Sequence, residues 1–383
     1  MLGPPSCEGR GCVKILFVIT GLGLGGAERQ VADVADRLAA KGHLVAVAFL
    51  TGRAVVMPVA PSIQLHALKM SKTPWGFFSG YFKLLKIILS FRPDVVHSHM
   101  VHANLLCRLM RLVICIPRLV CTAHNTNEGG RLRMLLYRLT DFLADISTNV
   151  SHEAVAAFEA LGAVPRGRML AVPNGIDCDR FRPDASTRRK VRRTAGITVN
   201  QRIVLAVGRF DLAKDYPNLL HAFARVAEKI PETLLWIAGD GPLMSRMEAL
   251  CNELGLSGIV SFLGARNDIP DLMRAADVFV LPSSWEGFGL VVAEAMASEL
   301  TVVATDCGGV REVLGDAGFL VPVHDSLFLS QAVTRALALP PEEVLDLGRK
   351  ARERILMLYS LGKTVAAWER IYVGPPHLSE ENR

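Results

Sequence analysis

Short apolar runs alternating with helical patterns, twice over, are the feature that most restricts what this chain can fold into. From Val13 onward the sequence reads VKILFVIT, a helical stretch over 26–41, LVAVAFL, a helix over 76–91, DVVHSH, a helix over 102–113, RLVCTAH and a helix over 131–145. Apolar runs of this length, spaced by helical stretches, predict βαβ units and therefore a parallel sheet. A second series opens at RIVLAVGRF (202–210), continues through TLLWIAGDG, GIVSFLG, DVFVLPSS and TVVATD, and closes in helices beyond Asp325. Two α/β domains follow.

At 383 residues, half of them apolar, the chain is long enough to bury two sizeable cores. The predicted layout is an N-terminal extension over 1–12, a first Rossmann-like domain over 13–172, a linker over 173–201 and a second Rossmann-like domain over 202–357. A helix over 358–374 is expected to cross back to the first domain, and 375–383 to be a disordered tail. The linker rests on the turn-forming VPNGIDCDRFRPD and on the basic cluster Arg188, Arg189, Lys190, Arg192 and Arg193. Ligands of open parallel sheets bind beyond the carboxyl ends of the strands, so the site is expected in the cleft where the two domains face each other.

Net charge is +6, but up to residue 199 there are 26 basic and 13 acidic residues, against 17 and 24 beyond it. A basic front half calls for an anionic partner. Residues 75–92 set Trp75, Phe77, Phe78, Tyr81 and Phe82 beside Lys83, Lys86 and Arg92, and Arg108, Arg111, Arg131, Arg133 and Arg138 add further charge. An aromatic, cationic helix of this kind suits an anionic membrane surface, or else a core helix with a solvated edge. Nucleic acid is excluded, because no recognition motif accompanies the charge. The start resembles a signal peptide only superficially, since the apolar run breaks into Gly21, Gly23, Gly25 and Gly26 and continues as a charged helix. No stretch reaches the roughly 18 to 20 apolar residues that span a bilayer. Eight cysteines without C-x-x-C spacing support neither a zinc site nor a disulfide framework, which fits a cytoplasmic protein, on the inner face of the plasma membrane if the basic helix docks there.

GLGLGG (21–26) matches G-x-G-x-x-G between a strand and a helix, where backbone N–H groups can cradle a phosphate. The second strand ends AFLT without the acid that holds a dinucleotide's ribose, so an NAD cofactor is set aside and no cofactor is expected. Arg209 and Lys214 lie on the loop after one second-domain strand, where cations would stabilise charge developing on a leaving group. In SSWEGFGLVVAEAMA (283–297), Glu286 follows a strand and Glu294 lies in the first turns of the next helix. The backbone N–H groups of Gly287, Phe288 and Gly289 would form an anion and hydroxyl nest beside the two carboxylates. His97, His99 and His102 have no acidic partner at metal-ligand spacing, and Asp177-Cys178-Asp179 sits in the linker, so no metal site is expected.

GGAER (25–29), CTAH (121–124), PNGID (173–177), GRF with Lys214, AGDGP (238–242), FLG (262–264) and the E-x7-E pair occur in an order and spacing that resembles the GT-B glycosyltransferases of family GT4. The resemblance covers nearly the whole chain and implies a retaining, metal-independent enzyme that moves a sugar from a UDP- or GDP-sugar. It implies as acceptor a hydroxyl of a lipid-linked glycan in bacterial polysaccharide, O-antigen or capsule assembly. It also implies roles: Glu294 holds the ribose hydroxyls; Glu286, Gly287, Phe288 and Gly289 bind sugar hydroxyls; Arg209 and Lys214 clamp the diphosphate with help from Gly25 and Gly26. Arg266 would lie near the base and His124 would face the sugar. The alternatives are a GT-B sugar-nucleotide epimerase, or a catalytically silent sugar-nucleotide scaffold.

Overall fold

The computed structural model describes residues 11–374 except 72 and 127. Expectations for residues 1–10 and 375–383 therefore lie outside the described residues. The chain divides into two compact units, the first running to Gly175 and resuming at Leu361, the second spanning Ile176–Ser360.

The first unit is built on a parallel sheet of seven strands: β1 (Lys14–Ile19), β2 (Leu44–Phe49), β3 (Gln64–Ala67), β4 (Val95–His99), β5 (Leu119–Thr122), β6 (Ile146–Asn149) and β7 (Met169–Ala171), in spatial order 3-2-1-4-5-6-7. The run KILFVI is apolar at both parities because β1 is central and covered on both faces. Ile15, Phe17 and Ile19 face a core shared with the helix Gly26–Ala40 and with Leu361, Val365, Trp368 and Tyr372 of the returning helix Leu361–Val373. Leu16 and Val18 face the opposite core, with Leu84, Ile88, Leu106 and Met110. This period-2 division of one strand between two cores is the reason a single register slip is not tolerated.

The second unit carries a parallel sheet of six strands: β8 (Arg202–Val207), β9 (Thr233–Ala238), β10 (Val260–Gly264), β11 (Val278–Leu281), β12 (Thr301–Thr305) and β13 (Phe319–Val321), in order 10-9-8-11-12-13. Strand order reverses between β1 and β4 in the first unit and between β8 and β11 in the second. These are the two points at which such sheets open a crevice at their carboxyl ends.

Residues expected as linker are folded. Asp184 caps the helix Ala185–Thr194 by accepting from the N–H groups of Ser186 and Thr187, and Arg188 and Arg192 grip Asp277 at 2.6 and 3.0 Å. The basic cluster is in part an internal fastening of the second unit. In the first unit, Arg108 and Arg111, counted above among surface cations, are likewise engaged. Arg108 is fully buried and donates to Asp141 Oδ1 (3.2 Å), Ser147 Oγ (3.0 Å) and the Tyr137 carbonyl (3.1 Å). Arg111 forms a forked pair with Asp145 at 2.6 and 2.8 Å.

The return of the chain at Leu361 is held by packing and by charge: Glu369 pairs with Lys41 and bonds His43 Nε2 at 3.1 Å, and Arg118 donates to the Ile371 and Gly374 carbonyls. Trp368 is buried against His97, with ring centroids 4.4 Å apart, and the Tyr372 hydroxyl bonds His97 Nδ1 at 2.7 Å. Replacing Trp368 with Ala removes a large buried side chain and leaves a cavity. Chemical denaturation of that variant is expected to register a loss of about 3 to 5 kcal/mol in stability; a loss under about 1 kcal/mol would mean that the returning helix is dispensable to the core.

Candidate functional site

The chemistry of the second unit gathers at the carboxyl ends of β8 and β11. Beyond β8, residues 208–211 turn into a short 3-10 helix, Leu212–Lys214, whose start is capped by Asp211 accepting from the Ala213 N–H at 3.1 Å. Beyond β11 the chain runs through Ser283 and Glu286 to Gly289, which adopts a left-handed conformation (φ 82°) and opens the helix Leu290–Ala297. The two loops are stitched together by the Ser284 N–H donating to the Ala213 carbonyl at 2.8 Å. Lys214 Nζ donates to Glu286 Oε1, and the same oxygen accepts from Ser283 Oγ at 2.8 Å. Ammonium and carboxylate are both largely withdrawn from water, so each depends on the other for compensation.

Close backbone approaches fix this geometry. A Cβ on Gly308 (φ 52°) would lie 1.8 Å from the Glu286 carbonyl oxygen, and one on Gly239 (φ 154°) would lie 1.9 Å from the Gly208 carbonyl oxygen. Both loops therefore rest on surfaces that only glycine leaves open. Tyr216 backs the first loop, its hydroxyl donating to the Gly208 carbonyl at 3.0 Å, and burial raises its phenol, with Asp211 and Glu286 adding to the shift.

Around this pair the predicted residues divide. Glu294 lies within the helix Leu290–Ala297 and is 8% exposed. Phe288 is buried edge-on against Tyr359, and the N–H groups of Phe288 and Gly289 make no hydrogen bond among the described residues. Gly287 occupies the turn between Glu286 and Phe288. Arg209 is exposed and its side chain makes no hydrogen bond or ion pair among the described residues. Arg266, after β10, is instead locked in a forked pair with its neighbour Asp268 at 2.8 and 2.5 Å, which raises the guanidinium and lowers the carboxyl.

In the first unit, Gly25 stands at the N-cap of the helix Gly26–Ala40. A Cβ there would lie 2.3 Å from Glu28 Oε2, so the Glu28 carboxylate itself occupies the mouth of that helix, where an incoming anion would approach. His124 follows β5 by two residues. Its Nε2 bonds His99 Nδ1 at 3.0 Å, and its backbone N–H donates to Glu128 Oε1 at 3.0 Å. Burial lowers the His124 imidazole to about 4, far below the usual 6.5. Glu128 was not anticipated: it also accepts from the Tyr137 hydroxyl at 2.7 Å, and burial raises its carboxyl against the pull of these bonds. Nothing in the run NTNEGG marks it, since its partners come from Tyr137 nine positions on and from a backbone N–H.

With this geometry in hand, the comparisons are decisive. The model for glycosyl transferases group 1 matches residues 187–354, and that for glycosyltransferase family 4 matches residues 24–180. A putative glycosyltransferase, EpsD of Bacillus subtilis, is 30% identical across 76% of this chain and 79% of its own length. The chain belongs to glycosyltransferase family 4. The family's relatives include an Escherichia coli UDP-Gal:alpha-D-GlcNAc-diphosphoundecaprenol alpha-1,3-galactosyltransferase, 25% identical over 76% of this chain and 78% of that enzyme. Among solved structures, Anabaena HepE in complex with UDP and glucose is similar with a TM-score of 0.80 at 20% identity, over 93% of this chain and 98% of that one. That likeness establishes the fold of this transferase as two Rossmann-like domains of the GT-B class.

The depressed His124 pKa has a consequence for stability. Below pH 6.5 the unfolded chain takes up a proton that the folded imidazole refuses, so stability falls as pH drops from 6.5 to about 4 and levels off below. Urea titrations over that window should give a steeper loss for the wild-type enzyme than for His124→Gln, the difference approaching about 3 kcal/mol. Equal slopes would contradict the burial of a neutral His124.

Proposed function

We propose that this family 4 glycosyltransferase moves a sugar from a nucleotide diphosphate sugar, UDP- or GDP-linked, to a hydroxyl of a lipid-linked glycan in bacterial surface-polysaccharide assembly, without a metal and with retention at the anomeric carbon. The observation that carries the reading is the meeting of Lys214, in the loop beyond β8, with the carboxylate of Glu286, in the loop beyond β11. A diphosphate leaving group gains negative charge as the glycosidic bond breaks, and cations placed beside it bind that charge more tightly in the transition state than in the ground state. In this reading Arg209 and Lys214 clamp the diphosphate, aided by backbone at Gly25 and Gly26. Glu286 with Gly287, Phe288 and Gly289 takes sugar hydroxyls, Glu294 takes the ribose, Arg266 flanks the base and His124 faces the sugar.

The chemical step proposed is the one that the family resemblance implies. The bond from the anomeric carbon to the phosphate oxygen breaks and the acceptor oxygen forms its bond on the same face. The acceptor proton passes to the departing phosphate, so no side chain need act as nucleophile. Relatives support the substrate classes: HepE was solved with UDP and with UDP-glucose, and the Escherichia coli relative is named for a UDP-sugar donor and a diphosphoundecaprenol-linked acceptor.

Lys214→Ala and Glu294→Ala are each expected to lower kcat/KM on the order of 10²-fold, read from nucleoside diphosphate release with acceptor present. Turnover near the wild-type rate in either would refute the donor-site assignment.

A lipid-linked acceptor calls for contact with a membrane, and two helices of the first unit are suited to it. No helix among the described residues is long and apolar enough to cross a bilayer. The helix Pro74–Phe91 buries Leu84 and Ile88 yet leaves Trp75 (85% exposed), Phe78, Phe82 and Leu89 outside. The helix Arg131–Thr140 exposes Leu132, Leu135 and Leu139, followed by Phe142 at 75%. Apolar side chains this exposed, interleaved with Lys86, Arg131 and Arg138, match the shallow insertion of an interfacial helix into an anionic leaflet. Co-sedimentation with vesicles rich in anionic lipid is expected to fall at least severalfold for Trp75→Ser combined with Phe82→Ser; unchanged sedimentation would exclude this docking.

A further inference from the structure

The first unit holds a small cavity of about 10 Å³, lined by Gln30, His97, His99, Thr122, His124 and Asn174 among apolar neighbours that include Phe17 and Trp368. Space of that size accommodates one water molecule when polar partners surround it. Two buried polar atoms of its lining have no protein partner, Gln30 Nε2 and His99 Nε2, on side chains that are 4% and 3% exposed. Leaving both unmade would cost roughly 1 to 3 kcal/mol each, and native structures seldom leave such atoms unsatisfied.

His97, Thr122 and the Gln30 carbonyl oxygen are committed elsewhere. His97 uses both ring nitrogens, Nδ1 with the Tyr372 hydroxyl and Nε2 with Thr122 Oγ1, each at 2.7 Å, and Thr122 Oγ1 also bonds Thr148 Oγ1 at 2.7 Å. Gln30 Oε1 accepts from the Gly175 N–H at 2.9 Å, which fixes the amide so that its donor end is the one without a protein partner. His99 spends its other nitrogen, Nδ1, on His124 Nε2 at 3.0 Å.

We propose that one internal water accepts from Gln30 Nε2 and donates to His99 Nε2, and that this chain sets the tautomer of the His99–His124 pair. Each imidazole is neutral at ordinary pH, because burial lowers both, with His97 and His124 lowering His99 further. A neutral imidazole has one donor nitrogen and one acceptor. With His99 Nε2 accepting from the water, His99 Nδ1 carries the proton and donates it to His124 Nε2. His124 must then carry its own proton on Nδ1. The ring thus offers an N–H donor, a group suited to a hydroxyl or phosphate oxygen, and cannot act as a base at that atom. Gln30 and His99 are positioning residues that act through His124. The inference deepens the reading of His124 as the residue that faces the sugar, but it concerns the ligand-free protein and is tested there.

Long-range ¹H–¹⁵N correlation spectra of the imidazole nitrogens in the full-length protein, without nucleotide or acceptor, report the tautomer directly. The expected spectrum gives His124 a protonated, pyrrole-type Nδ1 and an unprotonated, pyridine-type Nε2. Gln30→Glu keeps an oxygen for the Gly175 N–H and replaces the cavity donor with an acceptor; it should exchange the two positions, moving the Nε2 resonance to the pyrrole type. His99→Asn, whose amide donates from nearly the same place as Nδ1, should restore the original pattern in the Gln30→Glu background, whereas His99→Asp should not. A pyrrole-type Nε2 in the wild type, or an unmoved His124 spectrum in a folded Gln30→Glu variant, would overturn the proposal. So would a crystal structure at high resolution with no water within hydrogen-bonding distance of both Gln30 Nε2 and His99 Nε2. Activity enters none of these readings, so a failure of the donor assignment leaves the result interpretable.

Discussion

An ammonium and a carboxylate held against each other away from bulk water, Lys214 and Glu286, are the interaction on which the second unit's site depends. Either charge alone at that position would be costly, and removing one partner of such a pair leaves the other uncompensated. The two loops are therefore not independent. The hydrogen bond from Ser284 to Ala213, the Ser283 hydroxyl on Glu286 and the glycine surfaces at Gly308 and Gly239 all serve to keep the partners in register. An anion more charged than a single carboxylate competes for Lys214, and in the proposed chemistry a diphosphate does so while Glu286 turns to sugar hydroxyls.

Parallel-sheet geometry explains why these groups meet at all. Each candidate side chain of the second unit sits at or beyond the carboxyl end of a strand, and the cations and the carboxylate loop flank the switch between β8 and β11. The first unit repeats the plan. His99 ends β4, His124 follows β5, and the glycine turn follows β1, on both sides of its own switch point. A buried polar layer of His97, His99, Thr122 and Thr148 runs beneath them, tied to the returning helix through Tyr372. In a core, such a network is tolerated because almost every member is satisfied.

Much of this was legible in the sequence, for reasons that are physical. Strands buried on both faces read as continuous apolar runs, so β1, β2, β8 and β11 were plain, and the helix carrying Glu294 began at Leu290 as the GFG turn implied. The strands β3, β6, β7 and β13 were not. Three of them are short or lie at a sheet edge, and β6 reads ISTN, a polar run that is fully buried because Ser147 bonds Asp141 and Thr148 bonds Thr122. Charge was the least legible property. Arg108, Arg188 and Arg192 looked like surface cations, yet each is consumed by an aspartate distant in sequence. Periodicity carries no information about such pairings. For the same reason Glu128, which braces His124 in the first unit, and Tyr216, which braces Gly208 in the second, escaped notice, whereas Glu286 and Glu294 were marked by their place around a strand-to-helix turn.

In the proposed chemistry Lys214 recognises the outer phosphate of a nucleoside diphosphate. Calorimetric titration of a nucleoside diphosphate and its monophosphate into wild type and Lys214→Met tests it most directly. The wild type is expected to prefer the diphosphate by about tenfold or more, as one charge-assisted contact would supply, and the variant to lose most of that preference. A variant that keeps the full preference would contradict the clamp.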